Sequence, residues 1–286
     1  MTASDPRSYK GSIWLFVRLR SQTDLEVPVT WLFLPLASYL VWGVLAVSWW
    51  SAGAGFGIGE LSFATNGVVL LGLMASATVS YLLYTLMNRG NTHSSRTRAF
   101  LWSAIDTLEA RVGSVGQQAL LPLNTAEEGY YKLLREERER SAVLWALLAL
   151  IPFVGWILLV TAQWILSRDL SKHSRLEAVV LEDIDRTLRV AGLQGIPVRD
   201  SPIRSHDALG FAVVLALLIE LFSGYFLGLA TCLVLIYLTV GASSLFWLDL
   251  SIRDPASHFY YHSQFEAGLL LALPEANAGT NDVGVA

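Results

Sequence analysis

Four apolar runs constrain this chain more than any other feature: 29–50, 66–87, 141–166 and 208–248. A helix needs about 20 predominantly apolar residues to cross the hydrocarbon core of a bilayer. Each run is long enough. Backbone polar groups must be satisfied within the segment there, which for single runs means helix. Composition agrees: 53% of the 286 residues are hydrophobic and only 15% charged, against about 25% in a soluble domain. The expected fold class is all-α integral membrane. It has about four transmembrane helices plus one Pro/Gly-broken segment, re-entrant or kinked, with cytoplasmic amphipathic helices.

The first two runs, joined by a Gly-rich loop at 51–65, are expected to form a hairpin. The first is too long for a signal-peptide core, so it reads as a retained anchor. The third run carries Ile151-Pro152-Phe153-Val154-Gly155-Trp156 at its centre. Proline removes a backbone donor and clashes with the preceding turn. That predicts one kinked span or two half-length helices returning to the side they left. The fourth run is too long for one crossing, and Ser223-Gly224-Tyr225 is the expected break. Trp31, Trp49, Trp50, Trp145, Trp164 and Trp247 sit near run ends, where aromatic residues favour the headgroup level.

Basic residues set the orientation. The loop at 51–65 has none, whereas 88–140 has 8 and 167–207 has 7. Lys and Arg stay on the cytoplasmic side, so the N-terminus is expected to be cytoplasmic. If the third run re-enters, every basic segment shares that side, and this geometry is preferred. The chain then divides into an N-terminal segment (1–28), a transmembrane hairpin (29–87), a cytoplasmic helical segment (88–140), the third membrane segment (141–166) and an amphipathic helix with linker (167–207). A second hairpin (208–248), a juxtamembrane helix (249–273) and a disordered tail (274–286) follow.

A polar signature follows three of the apolar blocks. It reads Arg89-Gly90-Asn91-Thr92-His93, then Arg168-Asp169-x3-His173 with Glu177, then Arg253-Asp254-x3-His258 with His262 and Glu266. After the first, Leu101, Ile105, Leu108 and Val112 form an apolar stripe. After the second, Leu176, Val180, Ile184 and Leu188 do the same. Both suggest surface helices, and Ile13-Trp14-Leu15-Phe16-Val17 suggests an interfacial one. The plan is hairpin, signature, amphipathic helix, repeated with variation.

Across 144–177 and 245–266, this arrangement resembles a family of uncharacterised archaeal polytopic membrane proteins. In that family a Pro-Phe-x-Gly-Trp-like run precedes an Arg-Asp-x3-His segment. The resemblance implies a multi-pass membrane fold and no known activity.

Candidate chemistry is sparse. His258-x3-His262 places two imidazoles on one helix face, a spacing that suits a divalent metal. Glu266 lies too far along a straight helix to join both histidines on one ion. His173, His93 or Glu177 would have to complete the set. Glu220, deep in the last apolar run, is a candidate for proton or cation coupling. Arg89, His93, Arg168, Asp169, Arg253 and Asp254 are expected at the lipid boundary, the aspartates capping post-membrane helices and the arginines meeting phosphates. The charge run 135–140 reads as a solvated helix end. Cys232 is alone, so it forms no intramolecular disulfide or cysteine metal cluster.

The expected function is a non-enzymatic scaffold, assembly or membrane-organising subunit of the cell membrane. Its partners would be the lipid bilayer and another protein or a second copy of the chain. A net charge of -4 argues against nucleic acid. The alternative is a metal-dependent membrane enzyme or a metal/proton transporter using the histidines and Glu220. A divalent metal is the one cofactor the residues suggest.

Overall fold

A computed structural model describes residues 6–24, 26–34, 36–41, 43–44, 58–112, 117–151, 154–198, 203 and 205–273. The described residues are helical, without strands. The helices are α1 (Pro6–Thr23), α2 (Ile58–Val112), α3 (Leu120–Glu136), α4 (Ala142–Ala149), α5 (Val154–Val190), α6 (Asp207–Leu227) and α7 (Leu229–Ala272). A one-turn 3-10 helix at Val29–Leu32 leads into further helical residues of the first run. Several expectations fall outside the described residues: the turn at Pro152-Phe153, the first part of the 51–65 loop (51–57) and the tail from 274. The rest of that loop, 58–65, is not a loop but the start of α2.

Three long helices form the frame. The 55 residues of α2 span roughly 80 Å at 1.5 Å per residue. In α2, α5 and α7 the apolar run and the amphipathic stretch are one continuous helix. Contacts pair these helices in register. Leu82 and Leu86 meet Leu248 and Ile252, with Leu166 alongside. Further on, Leu101, Ile105 and Leu108 share a core with Val180, Ile184, Leu188, Phe265 and Leu269. The three helices therefore run parallel, each from an apolar to a polar half.

The two stripes seen in the sequence face each other and α3 rather than a membrane surface. They bury Leu101, Leu108, Val180, Ile184 and Leu188 completely. Burying one such side chain stabilises by about 1.5–3 kcal/mol, which two parallel stripes at one height gain together. Helix α1 likewise puts Ile13 into this core and packs Phe16 and Val17 against it. Trp14 and Leu15 remain exposed.

In the apolar half the pattern inverts. Large hydrophobic residues such as Leu70, Met74, Leu147, Phe211, Phe222 and Phe226 point outward. Among the described residues, one helical stretch, Val234–Ala272, is long and apolar enough to cross a membrane.

The third run splits into α4 and α5. Ser141 caps α4, its side chain accepting from Leu144 N at 3.2 Å. Both helices pack on α2 through Val79, Leu83 and Met87. The two ends of the run meet: Arg140 Nε donates to Asp169 Oδ2 at 3.0 Å, while Arg140 O accepts from Asn91 Nδ2 at 2.7 Å. The chain thus returns to the level from which it set out.

The fourth run breaks at Gly228, not at Ser223-Gly224-Tyr225, which lies within α6. Gly228 has φ 87° and ψ 151°, a conformation essentially reserved for glycine. Gly192, with φ 73°, ends α5. There Leu193 N reaches back to Leu188 O at 2.8 Å, as in a Schellman cap.

Candidate metal centre

The register of the three long helices brings their signature histidines together. His93 on α2, His173 on α5 and His258 on α7 are all buried. Their ring centroids form a nearly equilateral triangle: 5.4 Å for His93–His173, 5.2 Å for His93–His258 and 5.4 Å for His173–His258. Each ring offers one nitrogen, and the three nitrogens lie within 4.8 Å of one another. A point equidistant from the rings lies about 3.1 Å from each centroid. A zinc ion bound at about 2.0–2.1 Å stands about 3.2 Å from its imidazole centroid. Bringing the nitrogens to the roughly 3.3 Å spacing of tetrahedral ligands takes rotations about χ1 and χ2.

Each histidine is backed by a buried carboxylate. His93 Nδ1 lies 2.8 Å from Asp24 Oδ1. His173 Nδ1 pairs with Glu137, and its Nε2 forms no hydrogen bond while standing 3.5 Å from Glu177 Oε2. His258 Nε2 lies 3.0 Å from Glu177 Oε2. Carboxylate–histidine pairs of this kind fix the tautomer of metal-bound imidazoles.

A second layer neutralises these carboxylates. Arg96 Nη2 donates to Asp24 Oδ2 at 2.8 Å, and Arg96 Nη1 pairs with Glu266. His262 stands between two carboxylates, with Nε2 2.7 Å from Glu177 Oε1 and Nδ1 2.9 Å from Glu266 Oε1. The chain His93–Asp24–Arg96–Glu266–His262–Glu177–His258 is thus an alternation of nitrogen and carboxylate groups. Its two ends close on each other in the triangle.

The cluster lies beyond the last residue of each apolar run, and its electrostatics follow from burial. Desolvation pushes His93 well below its ordinary pKa and His258 below it, despite their carboxylate partners. Burial thus favours the neutral form of both, the form that binds metal. Burial also disfavours the charged form of His262, but Glu177 and Glu266 outweigh it and raise its pKa to about 10. His173 is raised as well, because Glu137 and Glu177 overcome its desolvation. Burial alone would raise Glu177, yet His262 and His258 hold it well below the usual carboxylate range. Asp24 is similarly lowered, its desolvation outweighed by His93 and Arg96.

The ligand set expected from the sequence is therefore redistributed. His173 and His258 stand in the triangle, and His93 joins them. His262, flanked by carboxylates at both ring nitrogens, belongs to the charge network, as does Glu266. Asp169 and Asp254 are not helix caps: each lies well inside an unbroken helix. Asp169 pairs with Arg140, and Asp254 is partly buried. Arg89 does not face outward. It is buried, donating to Ser251 O at 2.5 Å and stacking 5.6 Å from the Phe259 ring centroid. Arg168 and Arg253 are exposed, near Asp207 and Asp249.

Glu220 lies elsewhere, in the apolar half, accepting from Thr239 Oγ1. Thr239 precedes His258 on α7 by roughly 28 Å of helix rise. The charge run 135–140 is only in part a solvated helix end: Arg135, Arg138 and Glu139 are exposed. Helix α3 stops at Glu136, and the connection after it delivers Glu137 to His173.

Sequence reasoning missed Asp24, Arg96 and Glu137. Arg96 has a local signal, since it shares a helix face with His93 three residues away. Asp24 and Glu137 have none, because their partners are distant in sequence.

The chain matches no protein-family model, no curated protein and no solved structure.

Proposed function

We propose that this chain is a multi-pass protein of the cell membrane that holds a divalent transition metal on His93, His173 and His258. The observation that carries this reading is the triangle itself. Three histidines from three separate signatures meet in a buried site, beside the carboxylates of Asp24, Glu137 and Glu177, the last shared with His262. Imidazole ligands suit zinc, copper, iron or nickel rather than calcium or magnesium. Three protein ligands leave a coordination position open, the pattern of catalytic rather than structural zinc. When bound, such a metal polarises a carbonyl or phosphoryl oxygen or activates water. Burying so many ionisable groups is costly, which favours a site that uses them over a scaffold. Transport through Glu220 has less support, because Glu220 stands far from the triangle.

The membrane reading rests on the outward-facing apolar half and on the basic residues beyond it. Four full spans and a re-entrant α4–α5 pair put the metal centre at the cytoplasmic end, on the same side as the N-terminus. The joined ends of the third run support this topology.

Metal analysis of protein purified in detergent is the direct test. About one zinc-class ion per chain is expected after loading and desalting, and His173→Ala or His258→Ala should lose it. Folded wild-type protein that retains no such metal would sink the proposal. Topology is tested by placing cysteines at Lys132 and Arg189 in a Cys232→Ser background. Both positions should resist an impermeant maleimide until cells are opened. Labelling of Arg189→Cys in intact cells would instead make the third run a full crossing.

A further inference from the structure

A cavity of about 100 Å³ adjoins the histidine triangle on the side of the apolar half. Its walls follow the repeated signature. Gly90, Leu170 and Pro255 each stand three residues before their signature histidine. Leu86, Leu166 and Ser251 each stand seven before. On parallel helices these positions are one and two turns along from the triangle. The cavity therefore lies among the three long helices, with His93 and His173 in its wall.

Two features define what it would take. Its apolar side is built where the apolar runs end: Leu86 and Leu166 belong to the last turns of the second and third runs, and Leu250 follows the fourth. Its polar side is the 136–140 connection with nearby charged residues of α2 and α5. There Arg98, Arg140 and Lys172 pair with Glu137, Glu139, Asp169 and Glu136, and with Arg89 and Arg138 the lining keeps an excess of one positive charge. The lining is thus apolar toward the membrane-spanning half and net basic toward the other, at the depth where acyl chains meet head groups. The space beside Gly90 is open: a Cβ added there meets nothing within 4 Å.

We propose that this cavity seats the head group of an anionic bilayer lipid and so presents a membrane amphiphile, rather than a soluble molecule, to the metal centre. This rests on the membrane and metal reading above. Charge complementarity selects the anionic lipid, and the apolar wall selects a lipid over a free anion.

The test is lipid retention by the full chain in mixed micelles of phosphatidylglycerol and phosphatidylcholine, read by mass spectrometry after washing. Wild type should retain phosphatidylglycerol over phosphatidylcholine by at least about fivefold, the worth of one basic residue at an anionic head group. Gly90→Leu fills the cavity and favours the helix. It should remove most of that preference while metal content, measured on the same sample, stays unchanged. Leu170→Trp fills the cavity from α5 and guards against misfolding of the first variant. Equal retention of the two lipids by wild type would overturn the proposal, as would folded filled variants that keep the preference. A Gly90-sensitive preference in metal-free protein would support the lipid seat and overturn the metal reading alone. Displacement of the lipid by millimolar inorganic phosphate would overturn the choice of lipid over free anion.

Discussion

Arg96→Ala is expected to lower the unfolding free energy by about 3–5 kcal/mol, the cost of removing one partner from a buried ion pair. Arg96 is buried and joins two carboxylates that are themselves buried, Asp24 and Glu266. Alanine leaves both with one partner fewer. It also breaks the donation from Arg96 Nη1 to Phe16 O, 3.3 Å long, which ties α1 to α2. Glu266 keeps His262 and the partly exposed Arg20, 3.6 Å away, so the larger injury falls on Asp24 and the chain around it. Arg96→Lys should recover only part of the loss, because a single ammonium cannot reproduce the two-sided guanidinium fork. Denaturant or thermal unfolding in detergent measures this. A change within about 0.5 kcal/mol, the range of ordinary surface substitutions, would mean that the network is not closed as described.

Asp24→Asn and Glu137→Gln should each weaken zinc binding by about 10–100-fold without abolishing it, as loss of an outer-shell carboxylate typically does. Asp24 Oδ1, 2.8 Å from His93 Nδ1, favours the proton there and leaves Nε2, 3.4 Å from Thr97 Oγ1, as the nitrogen to coordinate. Glu137 does the same for His173. An amide keeps the shape but loses the negative charge that makes the imidazole a stronger donor. Using both variants separates metal tuning from general damage: Asp24 also partners Arg96, whereas Glu137 does not. Competition with a chromophoric chelator gives the affinities. If both variants bind zinc within twofold of wild type, the carboxylates do not tune the ligands, and the triangle loses its main support as a metal site.

Much of the helical content was legible in the sequence because it depends on local pattern. Long apolar runs require helices. Leu101, Ile105 and Leu108 recur at helical spacing, as do Val180, Ile184 and Leu188. A Pro and Gly at the centre of 141–166 foretell a break there. The signatures also carried real information, since each histidine sits at a corresponding height on its helix. Less legible was where one helix stops. The runs and stripes look like separate elements because their composition changes at 88, 167 and 249, yet helical hydrogen bonding is indifferent to that change. The later break in the fourth run has a similar cause. Ser223-Gly224-Tyr225 can be helical, whereas Gly228 must take a positive φ for α7 to turn back.

The candidate site was only half legible, for a different reason. His173, His258, His262 and Glu266 were visible as metal-binding residue types, but their roles depend on partners far away along the chain. Glu177 reaches His258 and His262, and Arg96 reaches Glu266. Such contacts leave no periodic trace in the sequence.

By itself, then, the sequence determined that the chain is helical, where its apolar runs fall, and that histidines recur after them, since these follow from composition and short-range spacing. Only the tertiary structure decided that three of those histidines form one triangle while His262 joins the charge network. That choice is set by the parallel register of α2, α5 and α7, which is fixed by packing between distant segments.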